Sequence, residues 1–222
     1  MVFKPSLAQG WSLLGNPLNR PLYLAETFGS LESPVDNITT AIVSVWKWSN
    51  GSGQWGFYSP QLTAEGNMAY AASKGMYVIN AINPGEGFWV SSRWGIDLPE
   101  QVGEEHSNFY ANFAALAGGW QLLGLPRPAT GREFNQQVNP VPVVNGVIPT
   151  TNFVSWWAWE QNAKKWTFYA PSIDAVGNDQ VSYDFTDKKG YFNGTYWTVQ
   201  SGSGIWVNKF APVPTVCTTC KG

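Results

Sequence analysis

The chain has 222 residues, with 13 Lys+Arg against 15 Asp+Glu and a net charge of -2. That length buries a sizeable core without help from metals or many disulfides, and the near-neutral balance, with no basic patch, speaks against nucleic acid or an anionic membrane as partner. Only 13% of residues are charged while 15% are aromatic, with 13 Trp, 23 Gly and 15 Pro, a mixture that fits a turn-rich β protein rather than a helical one. No apolar run reaches the roughly 18 residues of a transmembrane span, so no membrane insertion is expected. Residues 1–5 lack the charged start and apolar stretch of a signal peptide. A secreted origin then requires that the sequence be a mature or excised portion.

In chain order, the first strand signal is Gly10-Trp11-Ser12-Leu13-Leu14-Gly15. Next come Ser44-Val45-Trp46-Lys47-Trp48 and Gln54-Trp55-Gly56-Phe57-Tyr58-Ser59-Pro60, joined by Ser49-Asn50-Gly51-Ser52-Gly53. Alternation at period two puts Trp46 and Trp48 on one strand face, and likewise Trp55 and Phe57. The Asn/Gly-rich connection tolerates positive φ, so the pair reads as a hairpin. Residues 69–74 suggest one or two helical turns, and no stretch carries a sustained 3.6-residue apolar period. Gly85-Glu86-Gly87-Phe88-Trp89-Val90 reads as a turn and a closing strand.

The same signals then return in the same order. They are Gly119-Trp120-Gln121-Leu122-Leu123-Gly124, then Ser155-Trp156-Trp157-Ala158-Trp159, then Lys165-Trp166-Thr167-Phe168-Tyr169-Ala170-Pro171, then Gly202-Ser203-Gly204-Ile205-Trp206-Val207. The offset grows from 109 residues (Trp11 to Trp120) to 117 (Trp89 to Trp206), as small loop insertions would produce. The reading is an internal duplication. Residues 1–91 form a first β module, 92–112 an acidic, solvated connector, 113–209 a second β module, and 210–222 a Pro-rich tail with a CxxC pair.

Taken together, the strings Gly-Trp-x-Leu-Leu-Gly, Trp-x-Trp, Trp-x-Phe-Tyr-x-Pro and Pro-Gly-Glu-Gly-Phe-Trp-Val resemble a tandem Trp-rich β module of secreted bacterial proteins. The resemblance covers most of residues 3–209. It implies an extracellular setting and a non-catalytic accessory or surface role, and it brings no catalytic residue with it. The tail beyond Lys209, with Cys217 and Cys220, departs from the pattern.

Residue chemistry points the same way. His106 is the lone histidine, sits in the acidic connector and has no nucleophile elbow beside it. Glu65, Glu86, Glu160, Asp174 and Asp184 are the carboxylates a glycosidase would draw on, but no pair of them recurs in both modules. Asp174, Asn178 and Asp179 make a loose oxygen cluster whose default reading is an ordinary turn rather than a calcium site. Gly202-Ser203-Gly204 precedes a strand and lacks a Walker lysine, so it is a turn. The chain is therefore expected to be no enzyme and to use no metal or cofactor. Cys217 and Cys220 are read as a local or intermolecular disulfide.

Ten Trp fall into five matched pairs, and retention at one strand position in both modules marks them as core. Three are unmatched: Trp94, Trp156 and Trp197. With Tyr196, these are the candidate ligand surface. At least one terminus, the lead-in at residues 2–7 or the tail, is expected to contact a neighbouring copy, with Cys217 or Cys220 able to reinforce the contact. The expected fold is all-β: two similar antiparallel units with pseudo-twofold symmetry, of sandwich or barrel type. The expected function is an extracellular, non-catalytic binding module for carbohydrate or the cell surface. The alternative is a structural, self-assembling subunit of a surface layer, fibre or matrix. The partners are then polysaccharide or other copies of the chain.

Overall fold

The computed structural model describes residues 1–139, 152–177 and 179–210. Strands dominate at 37%, but helix takes 25%, more than the sequence signals promise. The first of two five-stranded sheets comprises β1 (Gly10–Gly15), β2 (Ile42–Ser49), β3 (Gln54–Tyr58), β4 (Tyr77–Val78) and β5 (Gly87–Ser92), in spatial order β1-β5-β2-β3-β4. The second comprises β6 (Gly119–Gly124), β7 (Phe153–Glu160), β8 (Lys165–Tyr169), β9 (Phe192–Asn193) and β10 (Gly204–Lys209), in order β6-β10-β7-β8-β9. Three two-residue ladders complete the pairing, and no sheet closes into a barrel.

Neither large sheet is wholly antiparallel. The edge pairs β3–β4 and β8–β9 are parallel, with Gly56 opposite Tyr77 and Thr167 opposite Phe192. A parallel return needs a crossover, and helices supply it: α1 (Ala64–Ser73) precedes β4; α2 (Gly131–Val138), between β6 and β7, serves no parallel return and buries Phe134 and Val138 in the second core; α3 (Asp179–Lys189) precedes β9. The crossover helices escape a periodicity search because they bury little. Only Asn67 and Ala71 of α1 and Ser182 and Thr186 of α3 are buried. What holds α1 is specific bonding. The Thr63 hydroxyl accepts from the Gly66 N–H at 3.1 Å as an N-cap. The Asn67 amide exchanges hydrogen bonds with the Ser59 backbone at the end of β3 (2.7 and 2.9 Å).

Each sheet has one face on a core and one face of indoles. In the first, Val45, Phe88 and Val90 point into a cluster with Leu14, Leu18, Leu22, Phe28 and Ile82. In the second, Trp156, Ala158, Ile205 and Val207 point into a cluster with Phe113, Phe134 and Phe153. Lys47 lies on the core face of β2 and is buried, its ammonium 2.7 Å from the Glu86 carboxylate and 3.2 Å from the Ala81 carbonyl. Glu86 also accepts from the Asn83 N–H at 2.6 Å, so it organises the turn before β5.

The termini of the sequence reading need correction. Residues 2–7 do not present a free edge. Val2 and Phe3 pair with Val102 and Gln101, and Ser6 and Leu7 pair with Asp97 and Ile96. Residues 92–112 are thus the partner of the lead-in rather than a solvated spacer, and the physical reason is the buried anchors Phe3, Leu7 and Leu98. The tail from residue 211, with Cys217 and Cys220, lies outside the described residues.

The sheets meet through backbone. Gly15 N–H donates to Gly202 O and Gly124 N–H to Gly85 O, both at 2.8 Å, and single antiparallel bridges join Leu14 to Ser203 and Glu86 to Leu123. At the crossing a Cβ on Gly124 would stand 2.6 Å from the Gly15 Cα, and one on Gly15 would come closer still to the Gly124 Cα. Only glycine permits this approach. Gly15→Ala or Gly124→Ala is expected to destabilise by about 3 kcal/mol in urea unfolding. Gly51→Ala, where a Cβ meets nothing within 4 Å, is expected to be near neutral. Asn50 at the first hairpin tip adds a clasp, its amide accepting from the Leu122 N–H (2.8 Å) and donating to the Leu122 carbonyl (3.2 Å).

Candidate ligand-binding groove

The indole faces of the two sheets converge. Cross-strand pairing sets Trp46 opposite Trp89 and Phe57, and Trp48 opposite Trp55. The rings nest edge-to-face, with Trp48–Trp55 centroids 5.4 Å apart and Trp11–Trp89 6.2 Å. In the second sheet Trp159–Trp166 lie 5.2 Å apart, Trp157–Trp166 6.2 Å and Trp120–Trp206 6.1 Å. The two arrays then interlock: Trp55 reaches Trp206 at 5.9 Å, and Trp166 reaches Trp89 at 5.9 Å. Two indoles bond across the seam, Trp48 Nε1–H to the Trp120 carbonyl and Trp159 Nε1–H to the Trp11 carbonyl, both at 3.1 Å. Trp46 and Trp157 donate to Ser44 and Ser155 hydroxyls at 2.8 and 3.0 Å. Edge-to-face aromatic contacts and these bonds hold the rings in fixed orientations.

The result is two open clefts of about 460 and 510 Å³. Trp48, Trp120, Trp206 and Tyr191 border the first, and Trp11, Trp46, Trp89 and Trp159 the second. Trp55 and Trp166 border both. No charged side chain lines either cleft. The Nε1–H groups of Trp55, Trp89, Trp166 and Trp206 have no acceptor within the described residues, yet they are not among the sealed, unpartnered polar atoms. An indole N–H is a donor only, and the lining is flat, apolar and uncharged.

This placement reverses the sequence reading of the tryptophans. The ten matched indoles are not core: all are half-buried or exposed, Trp11 and Trp120 at 48% and 46%. Trp156, one of the candidate ligand residues, is fully buried, and its Nε1–H has no partner among the described residues. The alternation of β2 and β7 correctly groups the rings by face. It does not say which face meets the core, and the buried Lys47 disguises the core face of β2 as a solvent face.

The other candidates are exposed but line neither cleft. Trp94 is 44% exposed. Trp197 stacks on Phe192 at 4.1 Å with planes 10° apart. Tyr196 stacks on Tyr183 at 5.4 Å, with the Arg132 guanidinium 5.4 Å from its ring centre. Cys217 and Cys220 fall outside the described residues.

The buried Asp174 cluster is satisfied by protein groups. The Asp174 carboxylate, buried, takes the Arg132 guanidinium on both oxygens and the Tyr169 hydroxyl at 2.9 Å. Arg132 also reaches Asp179 at 2.9 Å. Asp174 and Asp179 of the oxygen cluster thus hold an arginine, whose guanidinium is kept charged well beyond its ordinary range by the Asp174 hydrogen bond; Asn178 lies outside the described residues. Burial first, then the adjoining Asp174 charge, pushes the Tyr169 phenol far up. Among the described residues no group of three His, Cys, Asp or Glu is placed to hold a metal ion. The His106 ring lies 3.4 Å from the Asn19 side-chain oxygen, its backbone N–H donates to the Pro17 carbonyl, and burial lowers its pKa. No helix among the described residues is long and apolar enough to cross a membrane.

No family model, curated protein or solved structure matches the chain. The reading of its role rests on the groove.

Proposed function

We propose that the chain is an extracellular, non-catalytic binding module whose tryptophan groove holds a polysaccharide of a cell surface or matrix. The observation that carries this reading is the broad, uncharged indole surface that lines an open groove. Sugar rings present apolar C–H faces to stack on aromatics and a rim of oxygens to accept from N–H groups. The absence of charge along the lining argues against a nucleic acid or a charged peptide as the occupant. The matching motif order of the two halves and the like strand order of their sheets support an internal duplication, with each copy supplying one wall. The resemblance to tandem modules of secreted bacterial proteins supports the extracellular setting.

An exposed apolar face of this extent also suits self-association, so the test reads both. Titration of the intact chain with a panel of soluble neutral polysaccharides is expected to change tryptophan fluorescence saturably, with the chain monomeric by light scattering. A silent panel, together with a dimer whose groove tryptophans are shielded from acrylamide, would replace this reading with the assembly one.

A further inference from the structure

We infer that the two clefts form one track for a single linear, uncharged glycan of pyranose rings with equatorial substituents, an inference that rests on the polysaccharide reading above. Continuity comes from Trp55 and Trp166. Each presents surface to both clefts, and each touches an indole of the opposite sheet at 5.9 Å, so a chain leaving one cleft meets the same two rings on entering the other. The boundary between the clefts is therefore itself aromatic.

Charge selects against polyanions and polycations. With no charged group on the lining, a uronate, sulfate or ammonium on the ligand would find no counter-charge there and would lose part of its water against the indoles. The donors select for acceptors. An indole offers a donor and no acceptor, so any hydrogen bond from the lining tryptophans Trp55, Trp89, Trp166 and Trp206 needs an oxygen on the ligand. Ring shape follows from the two walls. Indoles of both sheets face the same space, so a ring held there needs apolar C–H on both of its faces. Gluco-configured rings with equatorial hydroxyls and equatorial links meet that need, because their axial hydrogens cover both faces. An axial hydroxyl or link would set a polar group against an indole.

The test is calorimetry on the full chain with β-1,4-linked gluco-oligosaccharides from disaccharide to octasaccharide. Polygalacturonate serves as the anionic comparison and α-1,4-linked malto-oligosaccharides as the axially linked one. Affinity is expected to rise at least about tenfold between the shortest and longest members, worth about 1.4 kcal/mol. Stoichiometry should be one long chain per protein, and affinity should stay unchanged between low and high salt. Trp55→Ala and Trp166→Ala should each abolish the length gain, and Trp55→Phe, which keeps a flat ring, should retain part of it. The wild-type stoichiometry is independent of whether the alanine variants fold. Two long chains per protein, affinity flat in length, or equal binding of polygalacturonate or malto-oligosaccharides would overturn the track while leaving polysaccharide binding in place. Binding of no glycan at all would remove both.

Discussion

Trp156→Ala is expected to lower the unfolding free energy by about 3–5 kcal/mol, the range for truncating a large buried aromatic. Trp48→Ala and Trp159→Ala, by contrast, should cost only about 1–2 kcal/mol each. The difference follows from position on the strand. Trp156 is fully buried on the core face of β7, in the cluster with Phe113, Phe134 and Phe153. Trp48 and Trp159 sit on the groove face, half-buried, and each loses one hydrogen bond across the seam when truncated. Trp156→Phe should be milder than the alanine change, because it keeps an aromatic ring while removing an indole N–H that has no acceptor among the described residues. Urea denaturation of the four variants, followed by far-ultraviolet circular dichroism, orders them directly. A Trp48→Ala protein as unstable as Trp156→Ala would place the core on the wrong face.

Arg132→Met should be comparably damaging, at about 3–5 kcal/mol, because it strands a carboxylate in the interior. The Asp174 side chain is 2% exposed, against 27% for Arg132. Without the guanidinium, Asp174 keeps only the Tyr169 hydroxyl as a side-chain partner. The double change Arg132→Met with Asp174→Leu should recover much of the loss, since it removes both the charge and its need for a partner. This cluster anchors the short helical segment Pro171–Asp174 and, through Asp179, the start of α3. Its loss should therefore also raise amide exchange along α3. A double variant no better than the single one would show that the pair contributes more than mutual neutralisation.

Much of the β framework was legible in the residues. Strand positions of the Trp-x-Trp and Trp-x-Phe hairpins follow from alternation, and β2–β3 and β7–β8 pair as that pattern requires. Of the crossover helices only the second half of α1 was legible, as the helical turns expected at residues 69–74, and α3 was not. Their hold on the sheets is by caps, amide bonds and single aromatic contacts such as Tyr70 on Phe57 (4.3 Å) and Phe185 on Phe168 (4.9 Å), none of which leaves an apolar period. The pairing of residues 2–7 with 96–102 was equally silent, because two-residue ladders carry no pattern of their own.

The candidate site shows the same division more sharply. Sequence alone grouped the ten tryptophans and gave their common strand faces. Only the tertiary structure decided which face of each sheet met the core. Period-two alternation is blind to that choice whenever both faces are apolar or a buried ion pair such as Lys47–Glu86 imitates a solvent position. It was likewise the close backbone crossing at Gly15 and Gly124 that joined two sheets so that their indoles share one groove. A contact between residues more than a hundred positions apart leaves no local trace in the chain, only two glycines.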